Sequence, residues 1–135
     1  MIFKYKKVVD AFTTYCLRGP DNNLMEAGGQ ITELCTINGI TYVSIPDTLT
    51  LPEQPAEITV EEATVTSELI EEIKAASPHV QLINSRVIDM IRERYSINDE
   101  IKMLRIGPSD ETSAYNDYAE AARAWGRAEK AKLGL

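Results

Sequence analysis

Apolar side chains follow two different periods along this chain, and the change falls near its middle. From residue 31 to 45, ITELCTINGITYVSI, β-branched and aromatic residues dominate, and Asn38-Gly39 divides them into two runs. Both of those residues tolerate positive φ, so the pair predicts a two-residue hairpin turn. In the second run Ile40, Tyr42 and Ser44 share one side and Thr41, Val43 and Ile45 the other, which leaves both faces partly apolar. A lone hairpin is marginal in water, so this one must pack on a helix or pair with further strands. Upstream, Phe3, Tyr5, Val8, Val9 and Phe12 fit a strand or a short helix, and the Phe3/Tyr5 alternation favours strand. Gly19-Pro20-Asp21-Asn22-Asn23 reads as a turn or loop. Gly28-Gly29 reads as another turn, because it lacks the spacing and the following helix of a phosphate-binding loop.

Beyond residue 65 the period becomes helical. Thr66 or Ser67 begins a helix through Ala76, with Leu69, Ile70 and Ile73 inward and Glu68, Glu71 and Glu72 outward. Ser77 then caps a second helix with Pro78 at its first position, running to about Tyr95. Its apolar stripe is Val80, Ile83, Val87, Met90 and Ile91. Ser96 is the N-cap of a third helix, with Asp99 in a capping-box position and Glu100 near the positive end of the dipole. Ile97, Ile101 and Leu104 fall on one face of it, and Gly107-Pro108 stops it. Ser109 or Asp110 opens the last helix. There Tyr115, Tyr118, Ala122 and Trp125 form an aromatic stripe, and Arg123, Arg127, Lys130 and Lys132 suit the C-terminal end of the dipole. The stripe has two readings. As core, it packs on Val80–Ile91 and Ile97–Leu104 in a small three-helix unit; as interface, it is an aromatic anchor with Arg123 and Arg127 beside Trp125. The core reading is preferred. Leu133 and Leu135 make the C-terminus apolar, and such a tail frays unless it docks on something.

These elements predict an α+β protein in three parts. Residues 1–45 form an N-terminal part containing the β-hairpin, and residues 66–135 form a C-terminal bundle of about four helices. Between them, residues 46–65 hold three of the six prolines and read as an extended connector, or alternatively as a strap laid across a partner. No internal repeat is present.

Composition narrows the function more than it identifies it. The net charge of −7 resides wholly in residues 1–78; the remainder is neutral. Nucleic-acid binding requires a positive surface that displaces counterions, and neither half offers one. No apolar run approaches a membrane span, and MIFKYKKVVDAF lacks a signal-peptide core, so no membrane partner and a cytoplasmic place of synthesis are expected. Cys16 and Cys35 are too few for a disulfide framework and lack metal spacing, so both read as ordinary reduced cysteines. The one histidine, His79, has no second ligand in sight and reads as a surface or capping residue. The acidic pairs Glu61-Glu62, Glu71-Glu72 and Asp99-Glu100 do not alternate oxygen ligands around a glycine, as a calcium loop does. With no Walker motif, nucleophile elbow or dinucleotide fingerprint, the expectation is a non-enzyme without cofactor or metal.

Three segments together resemble a known group. They are ELCTINGITYVSIPDTLTLPEQP, SPHVQLINSRVIDMIRERYSINDEIKMLR and YNDYAEAARAWGRAEKAKLGL. They resemble small proteins encoded beside tail-fibre genes in tailed bacteriophages and prophages. The likeness covers roughly residues 33–135, and Met1–Gln30 lies outside it. Arg94, Tyr95, Asp99, Glu100, Lys102 and Arg105 match one motif; Trp125, Gly126, Arg127 and Lys130 match the other. The resemblance implies a non-enzymatic role at the tail fibre or baseplate, as structural adaptor or assembly chaperone, in the host cytoplasm during assembly or in the virion tail. It carries no catalytic residues. Expected partner contacts are Tyr115, Tyr118, Arg123, Trp125, Arg127, Leu133 and Leu135. Expected fold-defining positions are Asn38, Gly39, Arg94, Tyr95, Ser96, Asp99, Glu100, Lys102 and Arg105. Self-association stays open.

An adaptor of another contractile or secretion apparatus is the nearest alternative. A small hydrolase would require a buried carboxylate pair or a bound metal. An acidic nucleic-acid mimic would require Glu53, Glu57, Glu61 and Glu62 on one rigid surface at phosphate-like spacing.

Overall fold

The structure is a computed structural model that describes residues 1–19 and 31–135. The turns expected from Pro20 to Asn23 and at Gly28-Gly29 lie outside the described residues. The fold is α+β: a small antiparallel sheet at the N-terminus is followed by four helices. The chain divides into two compact units, Met1–His79 with Leu133–Leu135, and Val80–Lys132.

In the first unit the strands are β1 (Ile2–Tyr5), β2 (Val8–Val9), β3 (Thr14–Tyr15), β4 (Thr32–Ile37), β5 (Ile40–Ser44) and β6 (Glu61–Glu62). β2 and β3 pair as a small ribbon, and the other four form a sheet in the order β4-β5-β1-β6. The β4–β5 hairpin turns at Asn38 and Gly39, whose φ values of 51° and 79° fit the primed turn that matches strand twist. β1 pairs with β5 from Ile2 opposite Ser44 to Tyr5 opposite Thr41. Each face of the sheet is covered. Tyr5, Val43 and Ile45 pack with Leu17, Ile31 and Ile58 on one side, while Ile2, Leu34, Tyr42 and Ile73 pack together on the other.

The Pro-rich segment is part of this unit rather than a bare link. Ile58 is buried, Leu49, Leu51 and Val60 pack beside it, and Glu61–Glu62 pair with β1. The Gln54 side chain holds the Arg18 backbone, accepting from its N–H at 2.8 Å and donating to its carbonyl at 2.9 Å. Helix α1 (Ser67–Ala76) belongs here too, packing on β4 through buried Ile73. Thr66 caps it, accepting from Leu69 N–H at 3.1 Å. The apolar C-terminus docks on this unit: Leu133 and Leu135 are half-buried against the cluster of Ile2, Leu34 and Ile73.

The second unit holds the rest of α2 (Pro78–Arg92), with α3 (Ile97–Ile106) and α4 (Asp110–Lys132). Ile91, Ala119 and Ala122 are its buried centre, ringed by Val87, Met90, Tyr95 and Tyr115. The small residues of α4 allow close approach. A Cβ on Gly126 would lie 2.6 Å from a Val87 methyl, so only glycine fits there without a shift.

Candidate functional site

The three helices of the second unit are locked by one aromatic and ionic knot. Tyr95, just past α2, meets Tyr115 and Tyr118 of α4 edge to face, with ring centroids 5.0 and 5.6 Å apart. The Arg94 guanidinium lies over Tyr95 at 5.6 Å and over Tyr118 at 5.4 Å, a cation–π arrangement. Tyr118 donates its hydroxyl to the Met90 carbonyl at 2.7 Å, and Tyr115 donates to Glu100 at 2.8 Å. Glu100 also pairs with Arg92 at 3.0 Å. A capping box begins α3: Ser96 N–H donates to Asp99 at 2.8 Å, and Asp99 N–H donates to Ser96 Oγ at 3.1 Å.

Electrostatics follow the geometry. Arg92, then the Tyr115 hydroxyl, hold the Glu100 carboxyl below the usual carboxylate range. The hydrogen bond from the Ser96 backbone does the same for Asp99. Burial, reinforced by Glu100, raises the Tyr115 phenol. Arg94, Tyr95 and Glu100 thus join α2, α3 and α4, Ser96 and Asp99 fix the start of α3, and Lys102 adds an exposed ion pair to Glu111 at 3.2 Å. Arg105 is exposed.

The expected partner contacts are scattered. Tyr115 and Tyr118 are half-buried in the knot, and Trp125 is half-buried further along α4. Arg123 lies close enough to Tyr115 and Glu100 to act on both electrostatically. Arg127 is exposed and ion-paired with Glu120. Among the described residues, the arginine that stacks on aromatic rings is Arg94. Leu133 and Leu135 are engaged by the chain's own sheet unit.

The reading of α3 needs a correction. Its Ile97, Ile101 and Leu104 face was expected to support the aromatic stripe, yet these side chains are 61%, 43% and 86% exposed, and the buried residue is Met103. Periodicity identified a real apolar face and assigned it the wrong surroundings. The inward contacts of α3 run through Met103 and the Glu100–Tyr115 bond instead. The exposed stripe spans about 10 Å of helix at 1.5 Å per residue. At its Leu104 end lies an open hollow of about 440 Å³ lined by Met103, Leu104, Pro108, Thr112 and Asn116. A second apolar feature is the β2–β3 ribbon, where Phe12 is fully exposed and Val9 largely so.

Among the groups with reactive potential, His79 and Cys35 line one open hollow with Lys7 and Glu33. His79 is exposed, Cys16 and Cys35 are free thiols, and burial raises the Cys35 thiol pKa. Among the described residues no three His, Cys, Asp or Glu side chains are grouped to hold a metal ion, and no carboxylate residue is buried. Glu53, Glu57, Glu61 and Glu62 are all exposed. No described helix is long and apolar enough to cross a membrane. Comparison with known proteins finds no matching family model, no matching curated protein and no matching solved structure.

Proposed function

We propose that this chain is a non-enzymatic, protein-binding component of a phage tail, associated with the tail fibre or baseplate as a structural adaptor or assembly chaperone. The tail assignment is supported by the resemblance over residues 33–135. The observation that carries protein binding is the outward stripe Ile97, Ile101 and Leu104. Three aliphatic side chains stand on a helix already fixed by a capping box and the tyrosine knot, so little ordering entropy is lost when a partner covers them. Their exposed fractions amount to nearly two whole side chains, worth about 4 kcal/mol if buried at about 2 kcal/mol each. A micromolar complex requires about 8 kcal/mol. The stripe therefore serves as the centre of an interface whose rim the partner must extend.

The test is co-expression with a tail-fibre protein of the same phage, followed by mass analysis of the purified complex and of mature particles. Retention in particles at fixed stoichiometry identifies an adaptor. Binding to the fibre with absence from particles identifies a chaperone. Failure to bind any fibre or baseplate protein removes the tail reading.

A further inference from the structure

The outward face of α3 has the register of a coiled-coil seam. Ile97, Ile101 and Leu104 are spaced by four and then three residues, which makes them d, a and d of a heptad, and Pro108 falls on the next a position. All three are exposed, while Met103, at a c position, is buried. The positions flanking the seam are Glu100 at g, with Asn98 and Arg105 at e. Arg105 is exposed, and none of the ion pairs among the described residues uses it. Glu100 is held at the border of the face: the Tyr115 hydroxyl donates to its Oε1 at 2.8 Å, and Arg92 meets its Oε2 at 3.0 Å. A carboxylate has about four acceptor sites, so some remain free on this side chain, which is 24% exposed.

We propose that this face is covered by the same face of a second copy of the chain, α3 beside α3 in parallel, in a two-fold dimer. Charge complementarity selects that occupant. A g residue and the following e residue of the facing helix form the ionic rim of a parallel pair. Glu100 therefore meets Arg105 of the second copy, and the two-fold axis makes the same pair twice. Arg92 stays on Oε2, and the second guanidinium takes the free acceptor sites. An antiparallel pair brings like flanks together, Glu100 beside Glu100 and Arg105 beside Asn98, and forms no ion pair. The seam itself agrees, because β-branched Ile101 at a with Leu104 at d is the combination that favours two strands. Shape agrees as well. Leu104 of one copy, as a d knob, enters the hole bounded by Ile101, Leu104, Arg105 and Pro108 of the other, and the open hollow beside Leu104 and Pro108 lies at that point. Each copy brings its own stripe, so the contact covers twice the apolar surface that a polar partner would cover. The seam is one helix of 10 residues, which places the contact among small, exchanging interfaces. The inference rests on the protein-binding reading of the stripe and not on the tail assignment; the dimer and a fibre complex would use the same stripe and exclude each other.

The test is sedimentation equilibrium of the full chain, alone, from about 1 µM to about 1 mM. Monomer should pass to dimer with a midpoint of about 100 µM, and no larger species should form. Arg105→Glu, at an exposed position that leaves the fold intact, sets a carboxylate against Glu100 of the other copy and should weaken the dimer about fivefold or more. Leu104→Asp should weaken it about tenfold or more. Leu104→Cys reads the orientation, since equivalent d positions meet in the parallel pair. Copper–phenanthroline oxidation should join two such chains about tenfold faster than it joins parent chains, whose own free thiols are the half-buried Cys16 and the buried Cys35. A chain that is monomeric over the whole range, a dimer indifferent to both Arg105→Glu and Leu104→Asp, or Leu104→Cys chains that join no faster than the parent overturns the proposal. A monomeric chain that still binds a tail-fibre protein overturns this inference alone, whereas a dimer with these responses that binds no fibre protein supports it and removes the tail reading.

Discussion

Gly126 sets two measurable effects against each other. Alanine is about 1 kcal/mol better than glycine inside a helix, and Gly126 lies within α4, so Gly126→Ala gains that much from the backbone. Its Cβ, however, would sit 2.6 Å from a Val87 methyl and 3.8 Å from an Ile83 methyl. Overpacking of this kind costs about 1–3 kcal/mol. The net expectation is destabilisation by about 1 kcal/mol. Val87→Ala removes the obstructing methyl and, at a half-buried site, costs about 1 kcal/mol by itself. In that background Gly126→Ala should stabilise by about 1 kcal/mol, because only the helix-propensity gain remains. The coupling energy is therefore about 2 kcal/mol, read from urea unfolding of the four proteins of a double-mutant cycle. Stabilisation by Gly126→Ala in the parent chain, or the same effect in both backgrounds, would refute the claim that α2 and α4 are in close register here.

Ser96→Ala should cost about 1 kcal/mol in urea unfolding, since it removes one half of the capping box. Asp99 and Glu100 have folded pKa values below their unfolded ones, so their stabilisation is complete at neutral pH. It is lost as pH falls from the ordinary carboxylate range, about 4, through the folded values. The stability difference between the parent and Glu100→Gln should accordingly shrink on acidification below that range; a constant difference would contradict the Arg92–Glu100–Tyr115 network. Truncation after Lys132 removes two half-buried leucines from the sheet unit and should cost about 2 kcal/mol, where a fraying tail would cost nothing. Under native conditions iodoacetamide should label Cys16 about tenfold faster than Cys35, which is buried and has a raised thiol pKa; peptide mapping distinguishes the two.

Features set by neighbouring residues were legible in the sequence. Asn38-Gly39 turns the hairpin because both positions accept positive φ, and Ser96 with Asp99 opens α3 because the capping box closes over three residues. The Phe3/Tyr5 alternation correctly indicated β1. Features set by distant partners were not legible. Nothing in Glu61-Glu62 signals a strand, because its pairing with β1 is made by backbone alone. The tail sequence shows that Leu133 and Leu135 need a surface, but not that Ile2 and Ile73 supply it. The same limit explains α3. A period of 3.6 reveals that Ile97, Ile101 and Leu104 share a face, whereas the direction of that face depends on how Met103 and Glu100 engage the rest of the unit. An apolar face was thus visible as a pattern and hidden as an exposure.

The most direct test of the protein-binding proposal is calorimetric titration of a phage tail-fibre protein with three chains: the parent, the Ile101→Asp/Leu104→Asp double variant, and Leu82→Asp as a control. Leu82 is half-exposed on a different helix, α2. The exposed parts of Ile101 and Leu104 are worth about 2.5 kcal/mol on burial, so the double variant should bind about fiftyfold more weakly or worse. The control should bind within twofold of the parent, with all three chains equally stable. Undiminished binding by the double variant, or an equal loss in the control, would contradict the assignment of α3 as the binding surface.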